Sequence, residues 1–218
     1  MEDRETPALY LEMTDQSADA YVEERVPALA ATTGAERVTW WEHCLPNRKD
    51  LPRSLPEFSL LGLVEANVGF EPPPVPDGVR GHLFHRTPRP GQGTLSARPT
   101  LGLERVLISP DEPARAQELR DWGDFVHIRD IAAASPPHFT MLTPYVNARA
   151  ESPKFMHFYE LDTDDPETAF RQMTPATRAH QGAYGTHEDE EWFMHPALVI
   201  DYVNTFRLLG ERAGVAPG

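Results

Sequence analysis

The chain has 218 residues, of which 40% are hydrophobic and 25% are charged, so its composition is that of a globular protein and excludes an intrinsically disordered one. The formal net charge of −14 argues against a nucleic-acid backbone or an anionic membrane as the main partner, because both attract basic surfaces. The acidity by itself indicates only solubility.

Cysteine content and the amino-terminal residues bear on the location of the protein. Cys44 is the only cysteine, so an intrachain disulfide is excluded and a reducing compartment fits. Residues 1–7 are charged and polar and lack the apolar segment of a signal peptide. No apolar run approaches the roughly 18 residues that a membrane-spanning helix requires. We therefore predict a cytoplasmic protein without a membrane span.

The first half of the sequence predicts a strand, a helix and further strands. Residues 8–13 alternate in hydrophobicity, which indicates a strand. Residues 17–33 carry apolar side chains at helical spacing, with a break at Pro27 and an end near Gly34. β-Branched and aromatic residues predict the next strand at 37–45. A proline-rich loop separates the last two predicted strands of this half, 58–65 and 82–86.

The second half predicts a similar order of elements. The predicted elements are strands at 103–111, 139–147 and 155–162 and a helix at 113–134. Asp165 and Pro166 then indicate the start of another helix, and Pro175 is expected to limit its length. Apolar residues at helical spacing also predict a carboxy-terminal helix over 195–209.

The two halves are predicted to be copies of one unit. Leu-Pro-Glu-Phe at 55–58 is matched by Ser-Pro-Lys-Phe at 152–155, about 97 residues later, and the other elements recur at similar offsets. The order strand, helix, strand, strand, helix, strand is that of a ferredoxin-like unit. We therefore predict an α+β protein with two ferredoxin-like units, 1–100 and 101–218. Their antiparallel sheets would form an intrachain α+β barrel with the helices outside.

The sequence AYVEERVPALAATTG, residues 20–34, resembles the first helix of dimeric α+β barrel proteins of the EthD type. In that family a Tyr or Trp is followed by Glu-Glu-His-x-Pro-Ala-Leu and then by a glycine. The resemblance covers the two helix–strand–strand segments, roughly two thirds of the chain. It implies a barrel that a tandem copy completes within one chain, and further pairing into a homodimer stays open. Arg25 departs from the family, which has histidine there, and the matching residue of the second half is His127.

Strand alternation and the resemblance give three candidate catalytic residues. His157 and Tyr159 share one face of their strand, and we predict that they point into the barrel cavity. The apolar Met156 and Phe158 would then face the helices. His157 or His127 would move a proton, and the hydroxyl of Tyr159 would stabilise negative charge that develops on an oxygen.

Four further residues are predicted to contact a substrate. Trp41 and His43 share a strand face and would give the cavity an aromatic lining. Arg25 would stabilise oxyanion charge at one specialised end of the barrel, as the resemblance suggests. The alternative is that Arg25 is a surface cation paired with Glu24 or Asp19. Trp122, on the apolar face of the second-half helix, completes the set.

The resemblance implies a small-molecule enzyme that works without a cofactor on an aromatic or polyketide-like compound. Related barrels include monooxygenases, isomerases, cyclases and decarboxylating enzymes, and fold alone does not choose among them. Two alternatives stay open: a non-catalytic ligand-binding or accessory protein of the same fold, and a barrel that binds haem through a histidine. No metal site is predicted, because the acidic, histidine-containing segment 187–195 lacks the spacing of a zinc motif.

Overall fold

The computed structural model describes residues 6–94, 96, 98–184 and 191–214. In the first half, alternating apolar residues form the strands, and Ser17 caps the first helix by accepting a hydrogen bond from the Ala20 amide at 3.3 Å. The elements of this half are β1 (Ala8–Thr14), α1 (Ala18–Glu24), α2 (Val26–Ala30), β2 (Ala35–His43), β3 (Leu60–Ala66) and β4 (Val79–Arg86).

The second half repeats this order and adds a helix before its last strand. A 3₁₀ turn (Pro113–Arg115) precedes α3, and a π-helical turn (Gly123–His127) joins α3 to α4. The elements are β5 (Gly102–Pro110), α3 (Ala116–Trp122), α4 (Ile128–Ala134), β6 (Phe139–Asn147), β7 (Phe155–Leu161), α5 (Pro166–Tyr184) and β8 (Leu198–Ala213).

The eight strands close into one antiparallel barrel in the order β1-β3-β2-β8-β5-β7-β6-β4. Each half contributes four strands in the same spatial order, β4-β1-β3-β2 in the first and β8-β5-β7-β6 in the second. The halves meet along a long β2–β8 seam and a short β4–β6 seam, which is paired only from Phe84↔Asn147 to Arg86↔Tyr145. The predicted α+β class and the antiparallel barrel are confirmed.

The predicted carboxy-terminal helix over 195–209 is wrong, because this segment forms the strand β8. Its residues satisfy a helical spacing by coincidence. Residues 201–206 are all buried, with Tyr202 and Phe206 in the barrel interior and Val203 on the opposite face beneath the helices. β8 hydrogen-bonds to β2 on one side and β5 on the other. A helix would leave both of these strand edges unpaired, so barrel closure overrides the local pattern.

The two prolines placed within predicted helices have opposite outcomes. The predicted break at Pro27 is confirmed, since α1 ends at Glu24 and Pro27 lies in the first turn of α2. The predicted limit at Pro175 is wrong, because α5 continues to Tyr184. In α5 a stripe at i, i+4 and i+8 is buried against the sheet, and this packing compensates for the missing amide donor. The stripe consists of Ala169, Met173 and Thr177.

The interior of the barrel is filled by side chains. Leucine, methionine and aromatic residues from both halves form one buried cluster there, which includes Leu11, Leu63, Phe84 and Phe158. Arg105 is enclosed among them at 1% exposure. Its Nη1 lies 3.0 Å from the sulfur of Met156, and its guanidinium covers the Phe158 ring at 4.1 Å. Nε and Nη2 have no hydrogen-bond partner among the described residues, and burial lowers the pKa of Arg105 to about 9.

Replacing Arg105 with methionine is expected to raise the free energy of unfolding by about 1–4 kcal/mol, because a buried charge without good partners is replaced by an apolar side chain of similar length. Urea denaturation measures the change. The matched control is Arg207→Met on the exposed part of β8, which is expected to unfold at the same urea concentration as wild type. A clear loss of stability in the Arg105 variant alone would show that the guanidinium is satisfied inside the barrel.

Candidate functional site

A cavity of about 230 Å³ lies outside the barrel, between the sheet of the second half and the helices that cover it. Most of its wall is apolar, and its polar side chains come from two strands and two helical segments. The floor is formed by β5, β7 and β8, and the segment 191–197 and α5 close the sides. The lining residues are Leu51, Glu104, Val106, Ile108, Trp122, His127, His157, Phe170, Met173, Thr174, Phe193, Met194, Leu198, Ile200 and Val203.

The predicted orientation of β7 is wrong. His157 lies under the helices and lines the cavity, and Tyr159 packs on the same side in the cluster that includes Leu119 and Ile131. Met156 and Phe158 instead point into the barrel. Both faces of this sheet are buried, one in the barrel and one beneath the helices, so the apolar pair did not distinguish them. His157 and Tyr159 therefore do not lie in a cavity inside the barrel.

The π-helical turn places His127 over the sheet. In such a turn one extra residue is accommodated, which widens the helix locally and redirects its side chains. Gly123 begins the turn and lies directly against His157, since a Cβ at Gly123 would stand 2.9 Å from Nε2 of His157. Glycine thus allows the helix to approach the histidine on β7 closely.

The ring of His127 is fixed on three sides. It stacks between Trp122, with ring centroids 5.0 Å apart, and His157, at 5.6 Å. Its Nδ1 lies 2.7 Å from the carbonyl oxygen of Trp192. A carbonyl oxygen only accepts hydrogen bonds, so Nδ1 carries the proton and Nε2 keeps a free lone pair. Burial lowers the pKa of His127 to about 4, and the ring is neutral at pH 7.

His157 and Tyr159 on β7 are the polar side chains that continue from His127. Nδ1 of His157 lies 3.5 Å from the hydroxyl of Tyr159, at the outer limit of a hydrogen bond. Burial lowers the pKa of His157 to about 3, and the neighbouring His127 contributes in the same direction. Burial also raises the pKa of Tyr159. Tyr159 is fully buried behind the cavity wall, so it supports His157 without contacting the cavity.

Glu104 is the site residue that the sequence analysis missed. It lines the cavity from β5, is 2% exposed, and stands opposite Tyr159 in the β5–β7 register. Its Oε2 has no hydrogen-bond partner among the described residues. Burial raises the pKa of Glu104 to about 8, so the side chain is mostly a neutral carboxylic acid at pH 7. The signal in the sequence was a charged residue within a predicted strand that is mostly apolar.

Trp122 and Arg25 differ in their relation to the cavity. Trp122 lines it, and its indole Nε1 donates to the carbonyl oxygen of Glu191 at 2.6 Å. Arg25 lies in the first half, where its Nε donates to both carboxylate oxygens of Glu12 at 2.9 Å. The prediction that Arg25 contacts a substrate in the cavity is wrong. The alternative is wrong as well, because the partner of Arg25 is Glu12 and not Glu24 or Asp19, and the pair is buried.

Trp41 and His43 do not line the cavity. Trp41 is 2% exposed in the filled barrel interior, where its Nε1 donates to the hydroxyl of Thr39 at 2.8 Å. The ring of His43 packs against Phe206 with centroids 4.8 Å apart, and its Nε2 lies 3.0 Å from the hydroxyl of Tyr202. Their predicted role as an aromatic cavity lining is wrong, because side chains fill the space that they face.

Other features of the described residues concern metals and membranes. The described residues contain no group of three or more His, Cys, Asp or Glu side chains that could hold a metal ion. His187 and the acidic residues 188–190 lie outside the described residues. Among the described helices, none is long and apolar enough to cross a membrane.

The fold is similar to solved structures over nearly the whole chain. An anthrone oxidase-like protein covers 96% of this chain and 94% of its own, with a TM-score of 0.55 and 11% identity. A mutant chlorite dismutase from Candidatus Nitrospira defluvii, in complex with cyanide, covers 96% of both chains with a TM-score of 0.52 and 12% identity. A proposed monooxygenase from Fusobacterium nucleatum covers 98% of both chains with a TM-score of 0.51 and 5% identity.

The chain has the fold of the dimeric α+β barrel proteins, and here a single chain supplies all eight strands. Identities this low show the fold and not the activity. No family model matches the sequence, and no curated protein matches it.

The two halves of this α+β barrel differ in the layer between sheet and helices. In the first half the part of this layer beneath α1 is filled: Glu12 accepts hydrogen bonds from Tyr10 at 3.0 Å and Tyr21 at 3.1 Å, in addition to those from Arg25. Tyr21 also packs on Gly62, where a side chain would collide with the tyrosine hydroxyl. The second half has the cavity of about 230 Å³, with titratable side chains in its wall. The first half has a cavity of about 220 Å³ beneath the proline-rich loop 72–75, but none of the described residues that line it is a histidine or a carboxylate.

Proposed function

We propose that the chain is a small-molecule enzyme that uses acid–base chemistry on an uncharged, apolar ring compound in the cavity of the second half. The observation that carries the proposal is His127. Its ring is neutral, its tautomer is set by the carbonyl of Trp192, and its Nε2 lone pair belongs to a side chain that lines an apolar cavity. Apolar cavities with a few fixed polar groups and perturbed pKa values are the usual form of small-molecule sites.

The proposed step is proton removal from a carbon next to a carbonyl or enol oxygen. The C–H bond breaks, Nε2 of His127 takes the proton, and the electron pair moves onto the oxygen to give an enolate. His157 stacks on His127 and restricts its rotation. The step involves no net oxidation, and we propose that it proceeds without a cofactor.

The test uses 2-tetralone, an uncharged bicyclic ketone, in deuterated buffer. We expect the protein to accelerate exchange of the hydrogens beside the carbonyl for deuterium, and His127→Gln to reduce the acceleration by about 10²-fold or more, the usual contribution of a general base. Proton NMR measures the exchange rate. His157→Gln is a second variant in case the first does not fold.

The matched control is His138→Gln. His138 lies on the surface and pairs with Asp162 at 3.0 Å, so the same substitution there should leave the exchange rate unchanged. Exchange by the wild type no faster than in buffer, or equal exchange in the His127 and His138 variants, would contradict acid–base catalysis in the cavity.

One observation favours a second candidate, a non-catalytic ligand-binding or accessory protein. Burial lowers the pKa values of His127 and His157 to about 4 and 3, and a base this weak drives proton transfer poorly. In that case 2-tetralone binds in the cavity and raises the melting temperature of the protein, but the hydrogens of 2-tetralone exchange no faster than in buffer alone. The same NMR experiment therefore separates the two candidates.

Haem, the other alternative that the resemblance implies, does not fit the cavity described. The cavity measures about 230 Å³, below the roughly 300–1,000 Å³ of pockets for drug-sized ligands, and a porphyrin exceeds such ligands in size. We therefore propose no haem-dependent step.

We also propose that residues 1–100 and 101–218 descend from one duplicated ferredoxin-like unit of the EthD type. The identical strand order of the two halves supports a duplication, and the motif at 20–34 supports the type. A reducing compartment such as the cytoplasm is proposed from the single cysteine.

A further inference from the structure

We propose that Glu104 acts as a neutral carboxylic acid that donates a hydrogen bond to a carbonyl oxygen of the ligand, and that it thereby selects uncharged ketones over hydrocarbons and carboxylates of the same shape. The inference rests on the proposed ligand cavity. It goes beyond the proposed proton transfer because it names the class of ligand and the residue that recognises it.

The geometry supplies a hydrogen-bonding group that has no partner in the protein. Glu104 is 2% exposed, lines the cavity, and has an Oε2 without a hydrogen-bond partner among the described residues. A buried polar group left unpaired costs about 1–3 kcal/mol. A ligand oxygen that accepts a hydrogen bond from the carboxyl group would remove this cost, whereas a hydrocarbon would not.

The groups around Glu104 favour its protonated form. The nearest cation is Arg48, but its guanidinium is engaged by Asp50 at 3.1 Å, by Glu167 of α5 and by the Phe170 ring at 4.6 Å. Glu167 adds negative charge, which raises the pKa of Glu104, while Arg48 lowers it. On the sheet the neighbours are Tyr159 and Thr205, which carry no charge at pH 7. Burial is the largest influence and raises the pKa to about 8.

The cavity wall sets the size and charge of the ligand. An apolar cavity of about 150 Å³ holds benzene, so about 230 Å³ provides room for a bicyclic aromatic compound. No lysine or arginine is among the described residues that line the cavity. An anionic ligand would therefore be desolvated without a compensating cation, beside a carboxyl group that would itself resist ionisation.

The experiment compares three naphthalenes with the same number of non-hydrogen atoms: 2-acetylnaphthalene, 2-isopropenylnaphthalene and 2-naphthoate. At about pH 6 we expect the ketone to bind wild type about tenfold more tightly than the alkene or the carboxylate, the effect of one hydrogen bond. Glu104→Met should abolish the preference for the ketone over the alkene. Glu104→Gln keeps a donor and should retain that preference. Isothermal titration calorimetry measures all three affinities.

The pH dependence distinguishes a carboxylic acid donor from other causes. Wild type should lose its preference for the ketone between about pH 7 and pH 9, as Glu104 ionises, and Glu104→Gln should keep it throughout. Equal binding of ketone and alkene by wild type, or an unchanged preference in Glu104→Met, would overturn this inference alone. Failure of both uncharged naphthalenes to bind would overturn the ligand cavity as well, and with it the proposed function.

Discussion

Replacing Arg25 with methionine is expected to lower the free energy of unfolding by about 3–5 kcal/mol, because removal of one partner of a buried ion pair leaves the other charge uncompensated. Glu12 is fully buried and accepts hydrogen bonds from Arg25, Tyr10 and Tyr21. Without the guanidinium, the carboxylate would keep only the two tyrosine hydroxyls. Chemical denaturation of the two proteins measures the loss.

Two further variants make this expectation specific. The double variant Arg25→Met, Glu12→Leu removes both charges and should recover much of the lost stability, since apolar replacement of a buried pair is often neutral or favourable. Arg37→Met is the matched control: Arg37 pairs with Glu65 and Glu211 but is 29% exposed, so about 1 kcal/mol or less is expected. Similar losses for the Arg25 and Arg37 variants would contradict the interpretation of Arg25 as a buried structural cation.

Replacing Glu104 with glutamine is expected to change how stability depends on pH. In the folded protein the pKa of Glu104 is about 8, against 4.5 for the ordinary side chain, so between these values the folded state holds a proton that the unfolded state releases. This contribution is therefore complete below about pH 4.5 and is lost as the pH rises to about 8. The loss in wild type is on the order of 5 kcal/mol, and the glutamine variant does not undergo it.

The measurement is the difference in unfolding free energy between variant and wild type across this range. Near pH 4 the two proteins should be close in stability, and near pH 9.5 the variant should be more stable by several kcal/mol. Glu211→Gln serves as the control, because Glu211 is exposed on β8, and its profile should follow that of wild type. A constant difference between the Glu104 variant and wild type at all pH values would show that Glu104 ionises normally in the folded protein.

The barrel could be predicted from the sequence because its signals are local and repeated. Alternation in 8–13 and 37–45, the helix break at Pro27 and the match between 55–58 and 152–155 gave the order of strands and helices. β8 could not be predicted, since its residues satisfy helical spacing as well as alternation. Only the need to pair the free edges of β2 and β5 decides between them.

The position of the site could not be predicted, because the sheet of the second half is covered on both sides. Met156 and Phe158 are as apolar as a helix-facing pair would be, yet they fill the barrel, while His157 faces the helices. Glu104 and Arg105 are adjacent in sequence and point to opposite buried faces, one to the cavity and one to the barrel. A charge within a strand usually marks an exposed face, which explains why both were missed.

The location of the ligand cavity is tested most directly by a crystal structure of the protein soaked with 2-acetylnaphthalene. We expect electron density for one molecule between His127 and Phe170, with its carbonyl oxygen within hydrogen-bond distance of the Glu104 carboxyl group. Density inside the barrel among Trp41, Phe84 and Arg105, or a cavity that stays empty at saturating ligand, would contradict the account.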